Sequence, residues 1–261
     1  MIKNKIGVGV ITCNREKFFQ KCISHIPPVD SIIVINDGLP YRNTKYPAHV
    51  TNIIQHKTNY GVTKSKNEAL RYLLDQGCTH IFLHEDDIYI KDNSILEKYI
   101  KAAEVSRILH LNYAYHGPGN RDESGMPVYR TVVTYPDGIK ISLNRNIVGA
   151  LSYYHRTVLE KVGLMDERFK NALDHVDHTY QIIKAGYHPP FWWFADYHES
   201  HKYVDDQDKT LGKSVIRRKL TWKLRVKLNA YKFRIKNGIP PNRIPDSTLE
   251  EVLGNIRKIS A

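Results

Sequence analysis

Residues 80–90 read His-Ile-Phe-Leu-His-Glu-Asp-Asp-Ile-Tyr-Ile, an apolar run that ends in three consecutive carboxylates. The apolar part predicts a buried strand, and Glu85, Asp86 and Asp87 follow at its carboxyl end. Like charges this close repel one another, so at least one acid would be protonated unless a cation lies beside them. Carboxylate oxygens suit Mg²⁺ or Mn²⁺, which usually also hold substrate phosphates. The stretch therefore indicates either a metal site or an acidic turn that simply faces solvent.

Strands and helices alternate on the amino-terminal side of this stretch and just after it. The predicted strands span residues 6–12, 31–36, 50–55 and 80–83, and the predicted helices span residues 15–26, 62–74 and 94–105. Shorter predicted strands follow at residues 110–115, 128–135, 139–143 and 147–154, separated by turns rich in Gly and Pro. Strands that alternate with helices of this length imply an α/β fold with a mostly parallel sheet covered on both faces.

Polar side chains stand at the carboxyl ends of three of these strands. They lie in the segments Thr12-Cys-Asn-Arg15, Asn36-Asp-Gly38 and His84-Glu-Asp-Asp87. In parallel α/β sheets, ligands bind outside the carboxyl ends of the strands. Three strands delivering polar groups to one rim indicate a nucleotide or sugar site there.

The net charge of the chain belongs to one segment. The 261 residues include 39 Lys and Arg against 27 Asp and Glu, a formal charge of +12. Twelve of the basic residues and no acid lie between Lys209 and Pro245, so the rest of the chain is neutral. Residues 213–236 are predicted to be mostly helical, with an apolar stripe formed by Ile216, Leu220, Leu224, Leu228, Tyr231 and Ile235. Apolar and polar residues also alternate from Leu220 to Leu228, so a strand there is the alternative.

Three interpretations of the basic segment compete. It would bind an anionic membrane surface, or hold nucleic acid, or form a solvated helix whose apolar stripe packs on the sheet. Other classes are excluded: the apolar content argues against disorder, and no apolar run approaches the roughly 20 residues that span a bilayer. Three cysteines without disulfide or metal spacing suit a reducing compartment, so we expect a cytoplasmic protein, with the inner membrane face as an alternative location.

Five ordered motifs over roughly residues 6–200 resemble the family 2 nucleotide-sugar glycosyltransferases of the GT-A fold. They are Ile11-Thr-Cys-Asn-Arg15, Ile32-Ile-Val-Ile-Asn-Asp-Gly38, the segment 59–70 (NYGVTKSKNEAL), the acids 85–87 at the position of the family's DXD metal motif, and the segment 147–169. The resemblance implies a Rossmann-like GT-A domain over residues 1–208, with a nucleotide-sugar half (1–106) and an acceptor half (107–208). Residues 209–261 would form a basic, mainly helical carboxyl-terminal extension.

The resemblance also implies roles for individual residues. Side chains at the ends of the first two strands would line the nucleoside pocket: Thr12, Asn14, Arg15 and Asp37. Two lysines, Lys64 and Lys66, would approach the base or diphosphate. Asp87 and Glu85 would hold Mn²⁺ or Mg²⁺, and Asp86 would bind the ribose or a metal-bound water. A late histidine, His198 or His201, would be a further metal ligand.

The catalytic base is expected in the segment Asp174-His-Val-Asp-His-Thr-Tyr-Gln181. It resembles the helix start that carries the base in the family, but His175 stands at the usual base position and Gln181 replaces an arginine. Asp174 or His175 would therefore be the base, and Asp177 a structural acid at the helix start.

The resemblance predicts a metal-dependent, inverting glycosyltransferase that uses a nucleotide-sugar, with UDP favoured. The expected acceptor is a hydroxyl of a saccharide or glycolipid. One alternative is a DNA glycosyltransferase that modifies hydroxymethylated bases, and a second is a non-catalytic nucleic-acid-binding α/β module. The basic segment 209–245 would position a polyanionic or membrane-associated acceptor.

Overall fold

The computed structural model describes residues 4–210, 212 and 221–260. In this part of the chain the strands are β1 Ile6–Thr12, β2 Ser31–Asn36, β3 Asn52–Gln55, β4 His80–Glu85, β5 Ile88–Ile90, β6 His110–Asn112, β7 Thr131–Thr134, β8 Lys140–Asn144, β9 Leu151–His155, β10 Phe194–Tyr197 and β11 Val204–Asp206. The helices are α1 Glu16–Ser24, α2 Val62–Asp75, α3 Ser94–Ser106, α4 Arg156–Val162, α5 Asp174–Lys184, α6 Trp222–Asn237 and α7 Leu249–Ser260.

The central sheet has the strand order β3-β2-β1-β4-β9-β6. Its pairs are parallel from β3 to β4, whereas β9 runs antiparallel to both β4 and β6. Every residue of β2 is buried, and its side chains alternate between two cores: Ile32 and Val34 face one, and Ile33 and Ile35 face the other. The prediction of an α/β fold with a mostly parallel sheet flanked by helices is confirmed.

Two small sheets complete the architecture. One has the order β10-β8-β7, and the other pairs β11 with β5 in antiparallel register, Val204 opposite Ile90 and Asp206 opposite Ile88. The sequence patterns did not predict β5 or β11. Their pairing matters for function, because it places residues 204–206 beside the acidic turn that follows β4.

The carboxyl-terminal helices pack on the body of the molecule. In α7, Val252 and Ile256 are buried in the same core as residues of α3. In α6, Phe233 is fully buried against Tyr180 and the aromatic cluster around it, with a ring-centroid distance of 5.3 Å. No helix among residues 4–210 and 221–260 has the length and apolar character needed to cross a bilayer.

The face of α6 that packs inward differs from the face that the apolar stripe suggested. Leu224, Leu228, Tyr231 and Ile235 are exposed, whereas Asn229 and Phe233 are buried. The interpretation in which the stripe packs on the sheet is therefore wrong for these four residues, because the aromatic cluster accepts Phe233 instead. The other two stripe residues, Ile216 and Leu220, lie outside the described residues, as does the predicted start of the helix at residue 213.

Candidate active-site cleft

A cleft of about 470 Å³ opens beside the carboxyl end of β4. Its walls come from the acidic turn after β4, the loop after β6, the segment before β9, the start of α5 and the first turns of α6. The titratable side chains along it are Lys66, Glu85, Asp87, His116, Asp174 and His175. The structure thus brings both predicted metal-binding acids of this turn and both candidates for the base into one cleft.

The two aspartates of the acidic turn differ in their surroundings. Asp86 is fully buried, accepts a hydrogen bond of 2.5 Å from the Thr12 hydroxyl, and forms an ion pair with Arg15. Burial raises the pKa of Asp86, and Arg15 opposes that effect. Asp86 is not among the residues that line the cleft, and the contact with ribose or a metal-bound water expected for it stays a prediction.

Asp87 keeps one carboxylate oxygen without a partner. Its Oδ2 accepts a hydrogen bond of 2.9 Å from Arg15 and lies 3.8 Å from Nε2 of His116. Its Oδ1 is buried and has no hydrogen-bond partner among the described residues. Burial opposes ionisation, but His116 and Arg15 outweigh it and lower the pKa of Asp87. Asp87 therefore lines the cleft as an ionised carboxylate with one buried oxygen that no described protein group satisfies.

His116 is held in place by Asp206 of β11. Nδ1 of His116 lies 3.2 Å from Oδ1 of Asp206, and Oδ2 of Asp206 accepts a hydrogen bond of 2.7 Å from the amide of Gly117. Burial lowers the pKa of His116, but the charges of Asp87 and Asp206 outweigh it and raise the pKa to about 9. The ring is thereby fixed between two carboxylates at the edge of the cleft.

Lys66 bridges two sides of the cleft. The residue is 2% exposed, and Nζ lies 2.7 Å from Glu85 and 3.7 Å from Asp174. Burial disfavours the ammonium ion, but Glu85 and Asp174 outweigh it and raise the pKa of Lys66. Lys66 lines the cleft with its charge between two carboxylates, and its expected approach to a base or diphosphate stays a prediction. Lys64 lies elsewhere, with Nζ 3.9 Å from the centroid of the Tyr60 ring.

Asp174 and His175 begin α5 at the floor of the cleft. Oδ2 of Asp174 is buried without a hydrogen-bond partner, and burial, which favours its neutral form, is outweighed by Lys66 and His175, so the pKa of Asp174 is lowered. The ring of His175 packs closely on Gly149, where a Cβ would lie 3.0 Å from Cγ of the ring. Glycine at 149 therefore permits the close approach of the His175 ring.

Asp177 lies outside the cleft lining and serves a structural contact. Its Oδ2 is 2.6 Å from Nζ of Lys236, and its Oδ1 accepts hydrogen bonds from Gln181 and Asn237. The residue thus connects α5 to α6, and the structural role expected for it at the helix start stays a prediction.

The predicted nucleoside-binding residues shape the rim instead of lining the cleft. Asp37 accepts hydrogen bonds from the amides of Tyr60 and Gly61, at 2.7 and 2.8 Å, and lies 2.7 Å from Nδ1 of His56. The Oδ1 atom of Asn14 accepts a hydrogen bond of 2.7 Å from the amide of Leu39. None of Thr12, Asn14, Arg15 and Asp37 is among the residues that line the cleft.

Solved structures share this architecture. The mannosyltransferase PcManGT from Pyrobaculum calidifontis, solved in complex with GDP-Man and Mn²⁺, matches 98% of the chain and 69% of its own chain, at 12% identity and a TM-score of 0.55. S. aureus TarS, residues 1–349, matches 68% of the chain at 19% identity and a TM-score of 0.50, over 55% of its own length. The chain has a GT-A-like fold. No protein-family model matches the sequence, and no curated protein matches it.

The side chains expected to hold a metal do not all meet in this GT-A-like cleft. No three His, Cys, Asp or Glu side chains in the described part of the chain converge as ligands of one ion. His198 is not among the lining residues, and its ring contacts Tyr129 at a centroid distance of 5.3 Å. The unpartnered Oδ1 of Asp87 nevertheless fits a hard cation, since Mg²⁺ and similar ions are usually held by one or two carboxylates with substrate phosphates.

The sequence analysis did not identify His116, which lines the GT-A-like cleft, or Asp206, which contacts His116. His116 follows β6, so its position after a predicted strand and before Gly117-Pro118-Gly119 was a usable signal. Asp206 gave no such signal, because β11 is three residues long and shows no periodic pattern. Only the pairing of β11 with β5 brings it to the acidic turn.

Proposed function

We propose that the chain is a metal-dependent, inverting glycosyltransferase that transfers a sugar from a nucleotide-sugar to an acceptor hydroxyl. The observation that carries the proposal is that Asp87, whose buried Oδ1 has no hydrogen-bond partner, lines the same cleft as Asp174, whose Oδ2 has no hydrogen bond and only a 3.7 Å ion pair with Lys66. The first suits a cation that binds a diphosphate, and the second suits a proton acceptor. The GDP-Man and Mn²⁺ bound by the Pyrobaculum mannosyltransferase support this assignment through a shared fold.

Asp87 and Glu85 would hold the divalent ion. His116, 3.8 Å from Asp87, would be the histidine nearest to the ion, whereas His198, expected from the sequence, does not line the cleft. When bound, Mn²⁺ or Mg²⁺ would neutralise charge that develops on the leaving diphosphate. Arg15 keeps Asp87 oriented through its hydrogen bond of 2.9 Å. Lys66 holds Glu85 in place by the 2.7 Å ion pair. These contacts fix the carboxylates before any substrate binds, which lowers the cost of organising the site.

Asp174 is the proposed base. Lys66 and His175 lower its pKa, which keeps Asp174 ionised at neutral pH but weakens it as a base, so the proposal rests on its place in the cleft. The acceptor oxygen would attack C1 of the sugar and pass its proton to Asp174, while the bond from C1 to the diphosphate breaks and its electrons leave with the nucleoside diphosphate. A single displacement with one base inverts the configuration at C1. His175, beside it, would orient the acceptor.

The proposed donor is a nucleotide-sugar. The sequence motifs favour a UDP-sugar, and a GDP-sugar is a second candidate because the Pyrobaculum mannosyltransferase was solved with GDP-Man. The proposed acceptor is a saccharide or glycolipid hydroxyl.

The decisive experiment compares Asp87→Asn with the wild-type protein in Mn²⁺-dependent hydrolysis and transfer, using panels of UDP- and GDP-sugars. We expect Asp87→Asn to lower the rate by about a hundredfold or more, since one preorganised electrostatic contact is worth that much. Asp75→Asn, an exposed carboxylate at the end of α2, is the matched control and should leave the rate unchanged. Equal rates for wild type and Asp87→Asn, or no turnover of any donor, would refute the proposal.

A further inference from the structure

Helix α6 presents an apolar stripe to solvent. Leu224, Leu228, Tyr231 and Ile235 are 58%, 50%, 61% and 68% exposed. They are spaced four, three and four residues apart, so they share one side of the helix. Large apolar side chains grouped on one exposed face mark an interaction surface more often than a solvated one.

The stripe cannot turn inward, because the opposite side of α6 is anchored. Phe233 is fully buried, and Asn229 donates a hydrogen bond of 2.7 Å to the carbonyl of Ala172. Lys236 lies 2.6 Å from Asp177. At about 100° per residue, the stripe lies on the side of the helix opposite Phe233. The exposed face is therefore a fixed feature of the folded molecule.

Positive charge borders the stripe. Lys223, Lys227 and Arg234 are exposed and fall on one flank of it at helical spacing, and Arg225 and Lys232 fall on the other. No acidic residue occurs in α6. Beside the helix, a groove of about 650 Å³ is lined by Tyr231, Arg234 and Arg243, among others. An apolar band with basic flanks is the pattern of a helix that lies in the plane of an anionic lipid surface.

We propose that α6 docks this stripe on an anionic membrane, with Leu224, Leu228, Tyr231 and Ile235 in the lipid interface and the flanking basic residues on the headgroup phosphates. Each Lys or Arg near such a surface adds to binding, and the apolar side chains add to it through burial. Duplex DNA would engage the basic residues but gives no reason for four large apolar side chains on the same face. The charge and the apolar stripe together favour the membrane.

The position of α6 links this surface to the cleft. Trp222 and Val226, in its first two turns, line the cleft wall. Docking would therefore bring the cleft close to the lipid surface. The corollary that the acceptor is a lipid-linked molecule rests on the proposed glycosyltransferase function, whereas docking itself does not.

Sedimentation of the full chain with vesicles tests docking without any substrate. We expect binding to phosphatidylcholine vesicles that contain phosphatidylglycerol, and little binding to phosphatidylcholine alone. The double variant Leu228→Gln, Ile235→Gln should weaken partitioning by about tenfold or more. The matched control Met126→Gln, Leu249→Gln changes two other exposed apolar side chains and should bind like wild type.

A second experiment reverses the charge of the basic residues that border the apolar stripe. The triple variant Lys223→Glu, Lys227→Glu, Arg234→Glu should lose about tenfold or more in partitioning. The control Lys17→Glu, Arg257→Glu, Lys258→Glu makes the same change in net charge on other exposed residues and should lose clearly less.

Several results would overturn the proposal: no binding to anionic vesicles, equal binding to neutral ones, or stripe variants that bind like wild type. Binding to duplex DNA that the stripe variants retain, with no vesicle binding, would assign the surface to nucleic acid instead. A dimer in light scattering that the stripe variants abolish, again without vesicle binding, would assign it to a second copy. Donor hydrolysis measured without vesicles reports on the enzyme proposal separately, so either proposal can fail alone.

Discussion

Asp86 and Asp87 are adjacent in the chain but have opposite environments. Asp86 is enclosed by Thr12 and Arg15, and Asp87 keeps a free oxygen at the cleft. The sequence located the three acids but could not show which aspartate is enclosed and which keeps an oxygen without a partner. That difference depends on contacts with residues more than seventy positions away. Each oxygen of the Asp86 carboxylate already has a protein partner, whereas Asp87 has one oxygen with none.

The choice between Asp174 and His175 as base can be tested by exchanging each for its neutral isostere. Asp174→Asn should lower kcat by about 10²–10⁴-fold, since it removes the proton acceptor. His175→Gln should lower kcat by less than about tenfold. Donor binding measured by calorimetry serves as the control and should change little in both variants. A larger loss in His175→Gln than in Asp174→Asn would transfer the role to the histidine.

The identity of the histidine that assists the metal gives a paired prediction. His116 lies 3.8 Å from Asp87, whereas His198 packs on Tyr129. His116→Ala should weaken Mn²⁺ binding in the presence of a nucleoside diphosphate by about tenfold, the low end of what a neighbour of a metal ligand contributes. His198→Ala should leave it unchanged. The reverse pattern, measured by titration calorimetry, would restore the ligand expected from the sequence.

At the scale of elements, the turn after β2 depends on the close approach of two loops. A Cβ on residue 38 would lie 2.4 Å from Oδ1 and 2.7 Å from the amide nitrogen of Asn14. Gly38→Ala should therefore reduce the free energy of unfolding by about 1–3 kcal/mol, because backbone and side chain must shift to make room. Urea unfolding provides the measurement.

Gly254→Ala is the matched control for that variant. Gly254 lies within α7, and nothing is within 4 Å of its would-be Cβ. There alanine should raise the free energy of unfolding by about 0.5–1 kcal/mol, since it removes backbone freedom from the unfolded chain and suits a helix. Similar losses in both variants would show that the contact with Asn14 is not the cause.

Elements with a strong local pattern were predicted well, and those without one were not. The β-branched run of β2 was predicted over Ser31–Asn36, as the structure has it, and α2 was predicted to within one residue of its end. By contrast, β5 and β11 have three residues each, too few to show a period. Helix α6 has apolar residues on two opposite sides, so periodicity alone could not show that Phe233 packs inward and Leu228 faces solvent.

Residue patterns alone predicted only the parts of the site that follow strands, whereas Lys66, Asp174 and His175 were expected from the family resemblance. The carboxyl ends of β1, β2 and β4 were identified as a rim because parallel strands end on the same side of a sheet. Two contacts depend on the packing of segments that are distant in the chain: Lys66 with Asp174, and Asp206 with His116. No local pattern encodes such pairings.

At the scale of the whole molecule, one buried carboxyl group should make stability depend on pH. Asp196 is fully buried and accepts hydrogen bonds from Ser200 and the amide of Ala114, at 2.5 and 2.9 Å, and from Tyr99. Burial raises the pKa of Asp196 to about 7, although these bonds oppose it. A pKa above the unfolded value gives stability that is fully present below the unfolded pKa and is lost as pH rises through about 7.

The expected result is a pH-dependent difference in the free energy of unfolding between the wild type and Asp196→Asn. From pH 5 to pH 8, the free energy of unfolding of the wild type should fall relative to that of Asp196→Asn by roughly 2–3 kcal/mol. Asparagine cannot ionise, so comparing the variants removes contributions from the buried histidines. Denaturant unfolding at both pH values measures the effect. A constant difference across that range would mean that Asp196 is not the group responsible.

The place of β9 between β4 and β6 also constrains the order in which the molecule can assemble. Residues 110–112 of β6 cannot join the central sheet until residues 151–155 of β9 have arrived, because β6 has no direct pairing with β4. During synthesis the four parallel strands can form first, and the edge of β4 then stays open while about seventy more residues emerge, up to the end of β9. That interval is when the chain is most exposed to pairing with other chains, since an uncovered strand edge is a template for aggregation.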